Sequence, residues 1–161
     1  MRSFSSATLS DLLSPATVQL NLRAADAEAV LEELVDCIPD IRDRPADRQT
    51  LLRALQEREQ LHSTGIGDGI ALPHARNALI GLVDHPVIVF GRSGQGIPYG
   101  SIDGAPARLF FLLVAPTVTQ HLAVLARISR LLRDPKVRQD LLKADTATKA
   151  IAVIRAAEDN L

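Results

Sequence analysis

In the first half of the chain, the spacing of apolar residues predicts one short strand followed by two helices. Apolar and polar residues alternate over 18–22, as in a strand with one buried face. A helical stripe of apolar residues extends over 24–38 and ends at a proline. The second predicted helix begins at Asp43, has Pro45 in its first turn and ends near residues 58–59.

In the second half, the same analysis predicts three more strands. They are expected over 70–72, 86–90 and 109–114. The last of these has no polar residue, so it belongs in the centre of a sheet that is covered on both faces. The glycine-rich stretch 91–100 is assigned to turns, and a tight turn is expected at Asp103-Gly104.

Three helices are predicted to close the chain, and their start signals are typical helix caps. Their expected starts are about Thr119, Asp134-Pro135, and Asp145 or Thr146. Helices before, between and after strands predict an α/β protein: a three-layer α/β/α domain with a mixed, mostly parallel sheet.

Composition narrows the class of protein. The 161 residues suffice for one domain, and 47% hydrophobic but only 3% aromatic residues predict an aliphatic core. A net charge of −1, with no basic cluster, argues against a nucleic-acid partner. The single cysteine, Cys37, excludes an internal disulfide and is expected to be a buried small hydrophobe. No apolar run is long enough for a signal core or a membrane span, so we expect a cytoplasmic protein that is not membrane-embedded.

One stretch carries candidate chemistry. Three glycines alternate over 65–69, and a short apolar segment then leads to Pro73 and His74. Pro73 restricts the backbone on both sides, which aims the His74 side chain in a fixed direction. A lone histidine of this kind is usually a hydrogen-bonded core residue. Neutral imidazole, however, also suits phosphoryl transfer, because its lone pair is nucleophilic near neutral pH.

The wider pattern resembles the phosphotransferase-system enzyme IIA domains of type 2, the fructose/mannitol family, and looks closest to the nitrogen-regulatory members. The resemblance implies the mannitol-type enzyme IIA fold and one such domain over 1–161, with its core at about 8–157. It covers nearly the whole chain and rests on these segments: 9–13, 18–22, Arg58-Glu59, Ser63 to Gly67, Gly69 to Arg76, Ile102 to Pro106, Ala115-Pro116 and His121-Leu122 with Leu125.

The resemblance also implies roles for individual residues. His74 would accept a phosphoryl group on Nε2, and His121 and Arg58 would stabilise it through hydrogen bonds and positive charge. Ser63 and Thr64 are candidates to donate a hydroxyl or backbone N–H to it. Each has a simpler alternative: a surface histidine at a helix start for His121, a helix-end arginine for Arg58, and local turn bonds for the two hydroxyls.

Neighbouring residues are weighed in the same way. Glu59 is expected either to orient Arg58 or to be solvated. Asp68 stands where nitrogen-type members often carry Asn, and its charge is expected near the incoming phosphoryl group. His62 and His85 are expected to be solvent-exposed, with no His, Cys and carboxylate cluster to hold a metal. No metal or organic cofactor is implied.

The function expected from the resemblance is that of a phosphocarrier with a phosphohistidine intermediate. Its donor would be a histidine phosphocarrier protein, HPr or the nitrogen-branch counterpart. The lack of attached IIB and IIC segments favours a regulatory role, with a sensor kinase or a transporter as target. The alternatives are a sugar-transport enzyme IIA that passes the group to a separate IIB protein and a non-catalytic regulatory binding module. Dinucleotide binding is disfavoured because the glycine spacing does not fit its fingerprint.

Overall fold

A computed structural model describes residues 8–79 and 81–161. Within these residues, five strands form one sheet in the order β1-β4-β5-β3-β2. The first seven residues of the expected domain lie outside the described residues. The strands are β1 (Val18–Gln19), β2 (Gly65–Gly67), β3 (Ile70–Ala71), β4 (Val87–Ile97) and β5 (Ala107–Val114).

Helices make up most of the remaining described chain. Asp26, Thr117, Asp134 and Thr146 each accept a backbone N–H of the helix that follows, which fixes four of the five starts. No helix in the described part of the chain is long and apolar enough to cross a membrane. The helices are α1 (Ala27–Val35), α2 (Pro45–Leu61), α3 (Val118–Leu131), α4 (Pro135–Lys143) and α5 (Ala147–Asp159), with short 3-10 turns at Leu9–Leu12, Pro15–Thr17 and Pro39–Ile41.

The predicted three-layer α/β architecture is confirmed. Successive side chains of β5 point to opposite faces of the sheet. Phe110 and Leu112 join the cluster formed with α1 and α2, whereas Phe111 and Leu113 join the one formed with α3, α4 and α5. Both faces of β5 are therefore buried, as the unbroken apolar run 109–114 predicted.

The sheet is mixed, but the expectation that it is mostly parallel needs correction. β1–β4 and β3–β5 are parallel, whereas β2–β3 and the long β4–β5 pair are antiparallel. The glycine-rich stretch was expected to form turns, but it continues β4 to Ile97 and extends the antiparallel pairing with β5. A Cβ on Gly91 would lie 2.6 Å from Leu34 Cδ2, so the glycine lets α1 pack directly on the strand.

Two smaller differences from the predictions concern the site and the cysteine. α2 continues to Leu61, so Arg58 and Glu59 both lie within its last turns. Cys37 follows α1 and is half-buried rather than buried. The turn at Asp103-Gly104 is confirmed, because the Gly104 N–H donates to the Ser101 carbonyl over 2.9 Å.

Candidate active site

His74 lies just beyond β3 and is held on both sides. It forms an isolated parallel bridge with Leu113, whose N–H donates to the Pro73 carbonyl over 3.0 Å. The His74 Nδ1 lies 2.6 Å from the Leu72 carbonyl oxygen. A carbonyl can only accept, so Nδ1 of the neutral ring carries the proton and Nε2 keeps its lone pair. The ring is therefore oriented and set in one tautomer by its own strand.

His121 lies beside His74. Thr117 caps α3 and places His121 in its first turn, where the side chain is only 6% exposed. The two ring centroids are 5.4 Å apart, and the ring planes are inclined by 58°. The structure thus brings together two imidazoles that are 47 positions apart in sequence.

Both rings are held toward the neutral form. Burial lowers the pKa of His74, and the Arg58 charge lowers it further, against the opposing effects of the Leu72 carbonyl and the Glu59 carboxylate. Burial also lowers the pKa of His121, and the neighbouring His74 adds to that effect. A neutral His74 can act as a nucleophile, and a neutral His121 still has one N–H to donate.

Arg58 lies in the last turn of α2, and its positive charge lowers the pKa of His74. One guanidinium nitrogen donates to the His62 carbonyl over 2.6 Å. Arg58 also lines a cleft of about 390 Å³ together with Arg76 and Asn77, which lie two and three residues after His74. The remaining guanidinium donors can serve an anion that enters this cleft.

The two hydroxyl candidates are engaged in local hydrogen bonds. Ser63 Oγ donates to the Tyr99 carbonyl over 2.5 Å and accepts the Gly65 N–H over 3.0 Å. The N–H and the hydroxyl of Thr64 both donate to Glu59, over 2.8 and 2.5 Å. These bonds agree with the alternative in which both residues shape the loop, and they reveal a use for Glu59 that sequence analysis missed.

The expected position of Asp68 is wrong. It lies in the β2–β3 turn, beside Gly69, whose carbonyl accepts the backbone N–H of Leu109. His74 is level with Leu113, four residues further along β5. At roughly 3.3 Å per strand residue, the two levels are about 13 Å apart. Asp68 instead donates its N–H to the Asp103 carboxylate over 3.1 Å, so its charge lies away from the imidazole pair.

The two remaining histidines lie apart from this pair. His62 is exposed, as expected, at the end of α2. His85 is half-exposed, and one of its ring nitrogens lies within 4.8 Å of carboxylate oxygens of Asp40 and Asp84. The expectation that no histidine clusters with carboxylates is therefore wrong. Asp40 is 45 residues before His85, so no local spacing could have shown this contact.

The helices of the site also carry exposed apolar side chains, called the apolar rim below, which sequence analysis did not identify. Three large apolar side chains are more than half exposed on the two helices that carry Arg58 and His121. They are Leu61 (54%), Val118 (59%) and Leu122 (60%). Val118 and Leu122 are four residues apart on α3, so they lie on one face of that helix. Exposed apolar residues grouped around a site are typical of a surface that contacts another protein.

Comparison with known proteins identifies the family. The sequence model described as "phosphoenolpyruvate-dependent sugar phosphotransferase system, EIIA 2" matches residues 11–157. The chain belongs to this family. As an enzyme IIA of type 2, it is a member of the phosphotransferase system, and the family predicted from the glycine–histidine motif is confirmed.

Individual relatives come from two branches. The chain is 39% identical over 91% of its length to the fructose-specific EIIABC component of Bacillus subtilis, but it spans only 23% of that protein. It is 31% identical over 91% of its length to a nitrogen regulatory protein of Pseudomonas aeruginosa, of which it spans 94%. Among solved structures, the nitrogen regulatory protein IIA-Ntr of Neisseria meningitidis superposes with a TM-score of 0.78 at 25% identity, over 91% of this chain and 98% of that one.

Proposed function

We propose that this enzyme IIA carries a phosphoryl group on Nε2 of His74. The observation that supports this most directly is the hydrogen bond from Nδ1 to the Leu72 carbonyl, which leaves the Nε2 lone pair for bonding. Phosphoryl transfer depends on positioning and charge stabilisation, and it needs no base to deprotonate a neutral imidazole.

The proposed step moves one phosphoryl group between two histidines. The Nε2 lone pair of His74 forms a new N–P bond while the N–P bond of the donor phosphohistidine breaks. The donor ring carries a proton on its other nitrogen, so it leaves as neutral imidazole when the electron pair of the broken bond returns to it. His74 keeps its Nδ1 proton, and its phosphorylated ring takes over the positive charge. In this proposal, the His121 N–H and the Arg58 guanidinium hold the phosphoryl oxygens. Ser63 and Thr64 shape the loop instead of donating to them.

The proposed donor is a histidine phosphocarrier protein, HPr or its nitrogen-branch counterpart, in the cytoplasm. Such a donor must place its own histidine over His74, so its surface has to cover the rim of Leu61, Val118 and Leu122. The exposed apolar area of these residues supports a protein donor over a small molecule.

The proposal is tested by incubating the protein with phosphoenolpyruvate, enzyme I and a phosphocarrier, and measuring intact mass. We expect one acid-labile phosphoryl adduct on the wild type and none on His74→Ala. His62→Ala serves as the matched control, because His62 is exposed and lies outside the imidazole pair. An adduct that persists on His74→Ala refutes the assignment, and a wild type that accepts no phosphoryl group favours the binding-module alternative.

The destination of the phosphoryl group has two candidates. The 31% identity to the Pseudomonas aeruginosa nitrogen regulatory protein supports a regulatory enzyme IIA that signals to a sensor kinase or transporter. The 39% identity to the fructose-specific component of Bacillus subtilis supports transfer to a IIB protein of a sugar system. Mixing the phosphorylated protein with a fructose-type IIB protein separates them. Rapid loss of the adduct to IIB favours sugar transport, and retention favours regulation.

A further inference from the structure

Glu59 and Thr64 form a two-point hydrogen-bond clasp. Oε1 of Glu59 accepts the Thr64 N–H over 2.8 Å, and Oε2 accepts the Thr64 hydroxyl over 2.5 Å. Thr64 is only 3% exposed, so neither of its donors has ready access to water. The carboxylate therefore fixes the start of the glycine loop to the last turn of α2.

This clasp connects to the nucleophile candidate through the backbone. The Thr64 carbonyl accepts the Leu72 N–H over 3.0 Å. The Leu72 carbonyl, in turn, accepts the proton of His74 Nδ1 over 2.6 Å. Thr64 and Leu72 thus each donate through the backbone N–H and accept through the carbonyl. A shift of Thr64 would move the carbonyl that orients the imidazole.

We propose that Glu59 is a positioning residue for phosphoryl transfer: by clasping Thr64, it keeps the Leu72 carbonyl where it holds His74 in the Nδ1–H tautomer. The inference rests on the proposed function of His74 for its catalytic consequence, but its structural part stands without phosphate. Glu59 does not contact the phosphoryl group in this account, and it acts only through Thr64 and Leu72.

A buried tyrosine lies near the clasp. Tyr99 is 4% exposed, and its ring packs edge-on against Phe110, with the centroids 5.4 Å apart. Burial and the Glu59 carboxylate both raise the pKa of Tyr99. A hydrogen bond to a charged acceptor is stronger where water is excluded.

An alternative role for Glu59 is to orient Arg58, its neighbour in sequence. The hydrogen bonds favour the clasp, since both carboxylate oxygens bind Thr64 while the Arg58 guanidinium donates to the His62 carbonyl. A second alternative is that Glu59 only stabilises the fold. That alternative predicts no change in the tautomer of His74 in a folded variant.

The test compares Glu59→Ala with Glu59→Gln in the protein without phosphate. Glutamine can still accept the Thr64 N–H through its oxygen, and its amide can donate to the Thr64 hydroxyl oxygen. Alanine removes both bonds. Glu57→Ala is the matched control, because Glu57 is an exposed carboxylate near the same end of α2.

The first readout is the tautomer of His74 from the ¹⁵N chemical shifts of its ring. We expect Nδ1–H in the wild type, Glu59→Gln and Glu57→Ala, and a substantial fraction of Nε2–H in Glu59→Ala. The second readout is the rate of phosphorylation by the phosphocarrier. We expect a loss of roughly ten- to a hundredfold in Glu59→Ala, as misplacement of a reacting group produces, and rates close to wild type in the other two variants.

The outcomes separate this inference from the proposed function. A folded Glu59→Ala with the wild-type tautomer and rate overturns the positioning role. An altered tautomer in a protein whose wild type accepts no phosphoryl group supports the clasp and refutes the carrier function. If Glu59→Ala does not fold, Thr64→Val decides, because it keeps the volume and the N–H bond but loses the hydroxyl bond. An unchanged tautomer and rate in Thr64→Val then overturns the proposal.

Discussion

Charge coupling between the two imidazoles gives the sharpest test of the site. Burial lowers the pKa of His121, and the neighbouring His74 lowers it further. The ring centroids are 5.4 Å apart. At that separation, two unit charges repel by about 0.8 kcal/mol at a dielectric constant of about 80 and by about 3 kcal/mol at about 20. This free energy opposes protonation of the second ring.

A protonated His74 places a positive charge beside His121. Replacing His74 with glutamine removes that charge but retains a polar side chain. We therefore expect the pKa of His121 to be higher in His74→Gln than in the wild type, because the repulsion from His74 is lost. The measurement is an NMR titration of the His121 ring resonances between pH 4 and 8 (about the range in which imidazoles titrate). His62→Gln is the control and should leave the pKa of His121 unchanged.

Phosphorylation supplies a second perturbation at the same atom. A phosphoryl group on His74 adds negative charge, which favours the protonated form of a nearby imidazole. The pKa of His121 should therefore also rise when the wild type is phosphorylated, and its ring then becomes a charged donor to the group it holds. If the pKa of His121 stays the same or falls in both His74→Gln and the phosphorylated protein, the two rings are not coupled and the proposed role of His121 is refuted.

Three further predictions concern stability and charge. Burial lowers the pKa of both site histidines, so below about pH 6.5 the unfolded chain binds more protons than the folded one. The free energy of unfolding in urea should therefore fall as the pH decreases from about 6.5 to 5. A free energy of unfolding that does not change over this range would contradict the prediction. A Cβ on Gly65 would lie 2.3 Å from Ser101 Oγ and 2.9 Å from its Cα, whereas one on Gly94 meets nothing within 4 Å. Gly65→Ala should therefore lose about 1–3 kcal/mol of unfolding free energy and Gly94→Ala less than about 0.5 kcal/mol, with equal losses as the refuting result. Arg58→Ala should slow phosphorylation and raise the pKa of His74 in an NMR titration, because the guanidinium charge lowers that pKa; an unchanged rate and pKa would remove Arg58 from the site.

Local sequence signals, such as apolar runs and helix caps, predicted several of the strands and helices. The unbroken apolar run 109–114 predicted a strand buried on both faces, and the Asp134-Pro135 pair marks the start of α4. The continuation of β4 through its glycines could not be predicted in this way. Glycine usually weakens a strand, but here Gly91 lies against Leu34 of α1, a contact between residues far apart in sequence.

The site was predictable only in part, because its contacts also join residues that are far apart in sequence. The proline before His74 and the cap before His121 are local signals, and each places its residue on a defined element. Which atoms meet depends on register. Asp68 is six residues from His74 in sequence, but β3 lies between them, so the two residues flank opposite ends of that strand. Glu59 meets Thr64 because α2 runs past residue 59, which the apolar spacing did not show.

In the proposed function, one set of residues serves phosphoryl transfer and a different set contacts the partner. The groups proposed to serve transfer are buried or held by the backbone: the Leu72 carbonyl that accepts from His74 Nδ1, the ring of His121 beside it, and Thr64 bound by Glu59. The surface proposed for partner contact consists instead of exposed side chains such as Val118 and Leu122. Exposed side chains can change without altering the packed groups beneath them. Fructose-type and nitrogen-type enzymes IIA can therefore share one phosphoryl chemistry, and the difference between their partners is expected in the rim.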